Sequence, residues 1–366
     1  MHPRPLLALT LGDPAGIGPE IVLGALANPA VRAVARFVLI GHPDLRRDFQ
    51  AAWKDSVSDA QQDEWKLGVA GRSICEDELP PDSVNAKSFA GALAQSFPTG
   101  EFNCTWVDVE TPGGWSMAAP QAIGGRAALA ALRVGAALAQ AGVVDALVTA
   151  PVSKEALHLA GEKCEGQTEL LGRWAGTPDL QMLAIAKNLR VLLLTRHLPL
   201  KIALARIEPE LVLRHLQLLH DGLRSLGFER PRLALAGLNP HAGEAGILGR
   251  EELDLLAPAL AQARASGLDV SGPESPDTVF YRASTGRFDG VLALYHDQAF
   301  IPVKLHAPDD GLTVLLGLPY LRVSPAHGTA FDIAGQGKAR AGNHVTAILR
   351  AAEWATARVV NEGCRS

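Results

Sequence analysis

LLALTLGDPAGIGPEIVLGALA, residues 6 to 27, joins a short aliphatic run to a turn holding Gly12, Gly16 and Gly18 and then to a stretch of helical period. The run at 6–11 has the composition of a strand buried on both faces. Pro19 suits a first helical turn, where its missing N–H leaves nothing unpaired, and Glu20 is well placed against the positive end of the helix dipole. The same alternation recurs outward from this segment. Strands are predicted at 37–40, 146–149, 190–195, 232–236 and 290–295, and helices at 19–27, 124–141, 208–226, 250–266 and 344–361. Short runs rich in Val, Leu and Ile between helical stretches indicate an α/β fold with parallel strands. Residues 50–98 are polar and broken by Pro80 and Pro81, and read as surface decoration between elements.

With 366 residues the chain suits two domains or one large one. Its 34 basic and 39 acidic side chains give a charge of -5, and no Lys/Arg run or basic stripe interrupts the balance. A nucleic-acid partner is therefore not expected. Cys75, Cys104, Cys164 and Cys364 are scattered without a CxxC pair, which indicates a reducing compartment. The N-terminal apolar run is too short for the core of a secretory signal, and Arg133 and Asp145 interrupt the Ala-rich stretch at 127–148. The sequence thus reads as cytoplasmic, with no membrane span.

Three histidines each sit just beyond a predicted strand: His197 in RVLLLTRHLPL, His241 in RLALAGLNPHAGE and His296 in VLALYHDQ. The carboxyl ends of neighbouring parallel strands line one edge of a sheet, so residues distant in sequence meet there. Gaps of 44 and 55 residues do not suit a zinc finger but do suit a catalytic site assembled across a sheet. One such histidine is ordinarily a hydrogen-bonded loop residue or a capping group; the threefold repetition is what points to ligands. His158, His215, His220 and His306 lack that context.

GDPAGIGPE could cradle an anion on its backbone N–H groups, yet it matches neither GxGxxG nor a P-loop, and a tight strand-to-helix turn is the plainer reading. Asp13 and Glu20 stay open on that account. SPAHGTAFDIAGQGKARAG, from 324 to 342, combines His327, Thr329 and Asp332 with Gly328, Gly335 and Gly337, and permits close backbone approach to a flat or phosphorylated ligand. Lys154, Lys304 and Arg322 are cations in apolar surroundings. They are candidates for holding phosphate or carboxylate, with a solvated surface charge as the ordinary alternative.

LTLGDPAGIGPEIV, TAPVSKEAL, GQTELL, TRHLPL, GLNPHAGE, YHDQAFIPVK, LGLPYLR and HGTAFDIAGQGKA occur in this order between about residue 6 and residue 350. The ordered set resembles the 4-hydroxythreonine-4-phosphate dehydrogenase family of pyridoxal phosphate biosynthesis. The end motifs are also similar to those of isocitrate and isopropylmalate dehydrogenases. The resemblance implies a two-domain α/β fold of the isocitrate/isopropylmalate dehydrogenase kind with the active site in an interdomain cleft. One domain would comprise 1–125 with 300–366, carrying the GDPAGIGPE turn and the cofactor loop; the other would comprise 126–299, carrying the metal ligands and dimer contacts. It further implies a homodimer with a shared active site and a divalent metal (Zn, Mg, Co or Mn) on His197, His241 and His296. NAD or NADP would lie against His327, Gly328, Thr329, Asp332 and Gly335, and a phosphorylated small-molecule substrate against Gln167, Thr168, Lys304, Thr313 and Arg322. Asp277 falls near the implied metal and substrate cluster, and Asp277, Lys154 or a water is the implied general base.

The implied reaction oxidises the secondary alcohol of 4-phosphooxy-L-threonine to a 3-oxo acid, which loses CO2 to give 3-amino-2-oxopropyl phosphate. Two positions depart from the commonest form of the family: Gln167 stands where His is usual and Thr313 where Asn is usual. Gln cannot carry a proton as His can, but its carbonyl can accept a hydrogen bond from the substrate ammonium. D-Threonate or D-erythronate 4-phosphate is the alternative substrate. An acyltransferase of the phosphotransacetylase type would not need three converging histidines, and a two-domain binding protein would show no turnover.

Overall fold

In the computed structural model, residues 4–56, 67–80, 83–98, 103–177, 179–308 and 310–363 are described; Cys364 lies outside them. Two compact units are formed, Met1–Leu180 with Leu318–Thr356, and Gln181–Gly317 with Ala357–Ser366. The limits read from the sequence, 125/126 and 299/300, fall inside the helices Ala122–Gln140 and His296–His306. The described strands are β1 (Leu6–Thr10), β2 (Arg36–Gly41), β3 (Leu67–Val69), β4 (Ile74–Cys75), β5 (Cys104–Glu110), β6 (Ala146–Thr149), β7 (Gln181–Ala186), β8 (Leu189–Leu193), β9 (Leu233–Ala236), β10 (Val270–Glu274), β11 (Gly290–Ala293), β12 (Gly311–Leu316) and β13 (Leu321–Pro325).

In the first unit the strand order is β13-β6-β1-β2-β5-β3, parallel throughout, with β4 beside β5. The central strands are buried on both faces, as their aliphatic composition requires. The helix Ala122–Gln140 packs on β1, β2 and β6. It is long and apolar enough to cross a membrane, but 13 of its 19 residues are buried within the protein, which makes it a core helix. Segment 50–98 is more than decoration. It contains β3, β4 and the helix Ser83–Gln95, and β3 and β4 both pair with β5. Three- and two-residue strands carry too little pattern to be read from periodicity.

In the second unit the order is β10-β9-β11-β8-β7-β12. β10, β9, β11 and β8 are parallel, whereas β7 runs antiparallel to both β8 and β12. The antiparallel pair arises because β7 and β8 are joined by only Lys187 and Asn188, with Lys187 at φ 52°. So short a connection cannot make a parallel crossover. Leu189, Val191, Leu193, Val291, Ala293 and Ala234 pack with Val279 and Phe280 into one core, which ties the parallel strands β8, β11 and β9 together.

The GDPAGIGPE turn is built by close approach. Gly12 has φ 73°, and a Cβ there would lie 2.2 Å from the carbonyl oxygen of Pro151; Asp13 N–H donates to that same oxygen at 2.9 Å. Gly12→Ala should therefore combine a left-handed backbone with a steric clash, costing about 3 kcal/mol. Urea unfolding of the two proteins measures it, and a loss below about 1 kcal/mol would refute this account of the turn.

Candidate functional site

The three strand-end histidines belong to neighbouring strands of the second unit. β8 leads to His197, β11 to His296, and β9, on the other side of β11, to His241. Side chains and backbone tie these ends together. Leu194 N–H donates to the Ala293 carbonyl at 2.8 Å, and the Thr195 hydroxyl donates to the Leu294 carbonyl at 2.8 Å. Gln298, buried, accepts from Leu294 N–H at 2.7 Å and donates through Nε2 to the Gly237 carbonyl at 2.7 Å. The β8 and β9 ends are thus each fastened to the β11 end.

His197 and His296 come together, with ring centroids 5.5 Å apart. His296 Nδ1 lies 2.8 Å from Asp297 Oδ1; an Nδ1–H donating to that carboxylate leaves the Nε2 lone pair for a ligand. The Phe300 ring lies tilted 4.7 Å from the His296 ring, and Lys304 Nζ stands 5.8 Å from the Phe300 ring, so the three follow one face of the helix His296–His306.

His241 opens a run of five residues with positive φ: His241 52°, Ala242 53°, Gly243 79°, Glu244 42° and Ala245 56°. A left-handed run costs about 1–2 kcal/mol for each residue other than glycine, so its surroundings must hold it. Glu252 does so. Its buried carboxylate accepts from Leu238 N–H at 2.8 Å, Asn239 N–H at 2.7 Å and Asn239 Nδ2 at 2.9 Å. Burial pushes the Glu252 carboxyl up, but the bonds from Asn239 and its neighbours prevail and hold it below the usual range. A Cβ on Gly243 would lie 2.8 Å from Glu252 Oε2, so no larger residue fits there.

Asp277 is exposed, and the Ser275 hydroxyl donates to it at 2.6 Å. That bond outweighs a small opposing effect of desolvation and, with the nearby His241, holds the carboxyl below its ordinary range. Among the described residues no three His, Cys, Asp or Glu side chains stand close enough to form a ready metal centre. The donor chemistry nonetheless fits a divalent ion: two imidazoles lie side by side, one is oriented by a carboxylate, and a third occupies the adjoining strand end. Thr313, buried in β12, pairs in register with Ala184.

The remaining candidates belong to the first unit. Arg322 is buried on β13, and its Nη2 donates to the Thr149 hydroxyl at 2.7 Å and to the Gln167 carbonyl at 3.1 Å. Its Nε has no partner, and among the described residues no carboxylate pairs with it. Burial pushes its pKa down to about 10. Gln167 donates its Nε2 to the Ala150 carbonyl at 3.0 Å, so its amide bridges β6 to Arg322 and its carbonyl already serves a cation. Thr168 follows in the first turn of the helix Gln167–Ala175. Lys154, exposed, begins the helix Lys154–Leu159 after the Ser153 cap, and a Cβ on Gly166 would touch its Cε at 3.5 Å.

The two Gly-rich segments bind one another. Ile17 N–H donates to the Thr329 carbonyl at 3.0 Å, and Gly335 N–H donates to Glu20 Oε1 at 2.5 Å. Ile17, Ile21 and Ala334 pack together between them. His327, Gly328, Thr329, Asp332 and Gly335 form a loop that is exposed or half-buried, the setting a cofactor would need. Sequence reading missed the residues that organise these groups: Thr149, Thr195, Glu252 and Gln298. Gln298 carried a signal, lying two residues after His296 in YHDQ; Thr149 and Thr195 carried none beyond ending a strand.

Asp13 is fully buried, with Oδ1 accepting from Ala15 N–H at 3.0 Å and Oδ2 without a partner. Desolvation, partly offset by the Ala15 bond, raises its pKa to about 6. A raised carboxyl pKa means that the group's contribution to stability is complete at acid pH and lost as pH rises through that value. Asp13→Asn should then gain stability over the native protein as pH rises from 4 to 7, by about 3 kcal/mol at the plateau. Urea midpoints across that range test it, and a constant difference would show that Asp13 is not held protonated.

Residues 37–351 match the family described as "Pyridoxal phosphate biosynthetic protein PdxA". The D-threonate 4-phosphate dehydrogenase of Cupriavidus necator is 39% identical over 355 residues, covering 97% of this chain and 98% of that one. The 4-hydroxythreonine-4-phosphate dehydrogenase of Geobacter metallireducens is 39% identical over 353 residues, covering 96% of each. The crystal structure of 4-hydroxythreonine-4-phosphate dehydrogenase from Klebsiella pneumoniae is similar with a TM-score of 0.78 and 36% identity, over 96% of this chain and 98% of that one.

Proposed function

Since the chain belongs to the PdxA family and is a dehydrogenase, we propose that it oxidises the C3 alcohol of a four-carbon, 4-phosphorylated 3-hydroxy acid with NAD or NADP, and that 4-phosphooxy-L-threonine is that acid. The observation that carries the reading is Arg322. A guanidinium buried without a carboxylate and with Nε unpaired is costly unless an anion completes it. Lys304 adds a cation for the second anionic group, and Lys154, with its amine neutral, is left to act as a base.

In this reading His197, His241 and His296 hold a divalent ion, and the loop from His327 to Gly335 holds the dinucleotide. A bound divalent ion supplies a fixed positive charge that favours loss of the hydroxyl proton and stabilises the charge left by decarboxylation. Nicotinamide supplies the hydride acceptor. The chain's own residues orient and carry protons. Arg322, fixed by Thr149 and Gln167, and Thr168, next to Gln167 in the chain, hold an anionic end of the substrate. Lys154 Nζ takes the C3 hydroxyl proton as the hydride leaves C3; Asp277, held ionised by Ser275, steadies His241. The C1–C2 bond then breaks, CO2 departs, and C2 takes up a proton.

D-Threonate or D-erythronate 4-phosphate is a second reading, favoured by one contact. The Gln167 carbonyl accepts from Arg322, so an ammonium at C2 would have to share an acceptor with a buried cation. The Cupriavidus necator relative is named for D-threonate 4-phosphate. We also propose a homodimer. Of the 13 large apolar side chains exposed among the described residues, 10 are in the second unit, including Leu200, Ile247, Tyr281, Ile301 and Leu305. So unequal a distribution fits a surface covered by a second copy. The cellular compartment proposed is the cytoplasm.

Two measurements test these readings. Removal of metal with EDTA, and each of His197→Ala, His241→Ala and His296→Ala, should lower kcat/KM by at least about 100-fold in folded protein; full activity after chelation would contradict the metal assignment. Native protein should prefer 4-phosphooxy-L-threonine, and a preference for D-threonate 4-phosphate above about tenfold, or 1.4 kcal/mol, moves the assignment to the second reading.

A further inference from the structure

Gln298 is not among the groups that would touch an ion, a cofactor or a substrate, yet it is the side chain that joins the His296 strand end to the His241 segment. Its single amide uses both ends. Oε1 takes the Leu294 N–H just before Tyr295 and His296, and Nε2 reaches across to the Gly237 carbonyl, four residues before His241. The span covers 61 residues of sequence, and the side chain is buried, so water does not compete for either bond. On the other flank the Thr195 hydroxyl fastens the His197 end to the Leu294 carbonyl.

The two links differ in what they govern. His197 and His296 already face each other at 5.5 Å. His241 lies on a left-handed segment anchored at one end by Glu252, and the Gln298 amide fixes where that segment leaves β9. We infer that Gln298 is a positioning residue that sets the place of His241 relative to the His197–His296 pair, and so completes the three-imidazole donor set. The inference rests on the metal reading above and adds to it a residue that acts through His241 alone.

Gln298→Glu is the direct test. A carboxylate can still accept from Leu294 N–H but has no proton for the Gly237 carbonyl, so only the link to His241 is cut. Cobalt(II) titration, read by visible absorption and by competition with a chelator, measures ion binding without turnover. Gln298→Glu should weaken cobalt affinity by about 10–100-fold and alter the absorption band, while far-UV circular dichroism stays native. The double variant Gln298→Glu/His241→Ala should bind within about twofold of His241→Ala alone, because a residue acting through His241 has nothing left to position. Gln298→Met, which gives up the Leu294 bond as well as the Gly237 bond, serves as the second variant if the first fails to fold, and should weaken cobalt affinity at least as much. Native-like cobalt affinity in both variants, or losses that multiply in the double variant, would overturn the inference. A native protein that binds no cobalt would instead overturn the metal reading on which it rests.

Discussion

Two buried side-chain hydrogen bonds, from the Thr195 hydroxyl to the Leu294 carbonyl and from the Gln298 amide to the Gly237 carbonyl, hold three parallel strand ends at one level. The three-histidine site proposed for the second unit depends on them. Parallel strands alone place His197, His296 and His241 on one edge of the sheet, but residues several positions beyond a strand are free to diverge. The links remove that freedom just before the loops begin. The left-handed segment at His241 then needs its own support, which the Glu252 carboxylate provides by accepting from the Leu238 and Asn239 backbone N–H groups and from the Asn239 side-chain amide.

The first unit is organised around a different constraint, the close approach of backbone to backbone. Gly12 lets Asp13 reach Pro151, and Ile17 and Glu20 fasten the N-terminal turn to the C-terminal loop through Thr329 and Gly335. Glycines in GDPAGIGPE thus serve the close packing of a tight turn. The buried cation is elsewhere. Arg322 lies within a frame made by Thr149 and Gln167, and the proposed anion-binding role rests on the lack of a carboxylate partner among the described residues.

Much of this was legible in the sequence, for reasons specific to each element. The runs ending at Thr10, Thr149, Ala236 and Ala293 are aliphatic because they are covered on both faces, and that makes them visible. β8 was visible, but β7 and its hairpin to β8 were not, since Lys187 and Asn188 are not the Asn-Gly or Asp-Gly pair that marks a two-residue hairpin, and a lysine at positive φ gives no warning. The three histidines were visible through their repeated placement. Gln298 and Glu252 were not, because a polar side chain that will bond to backbone atoms dozens of residues away looks, in sequence, like one that faces water. Gln167 shows the same limit: its identity revealed an unusual residue, and only the structure revealed that its carbonyl faces Arg322.

The central claim is that His197, His241 and His296 together hold one divalent ion. X-ray absorption of the zinc-loaded protein tests it most directly, since imidazole rings give outer-shell scattering that carboxylates and water do not. The account predicts three imidazole nitrogens at about 2.0–2.1 Å, falling to two in each single histidine-to-alanine variant. A zinc shell of oxygen alone, or one unchanged in the His241→Ala protein, would contradict it.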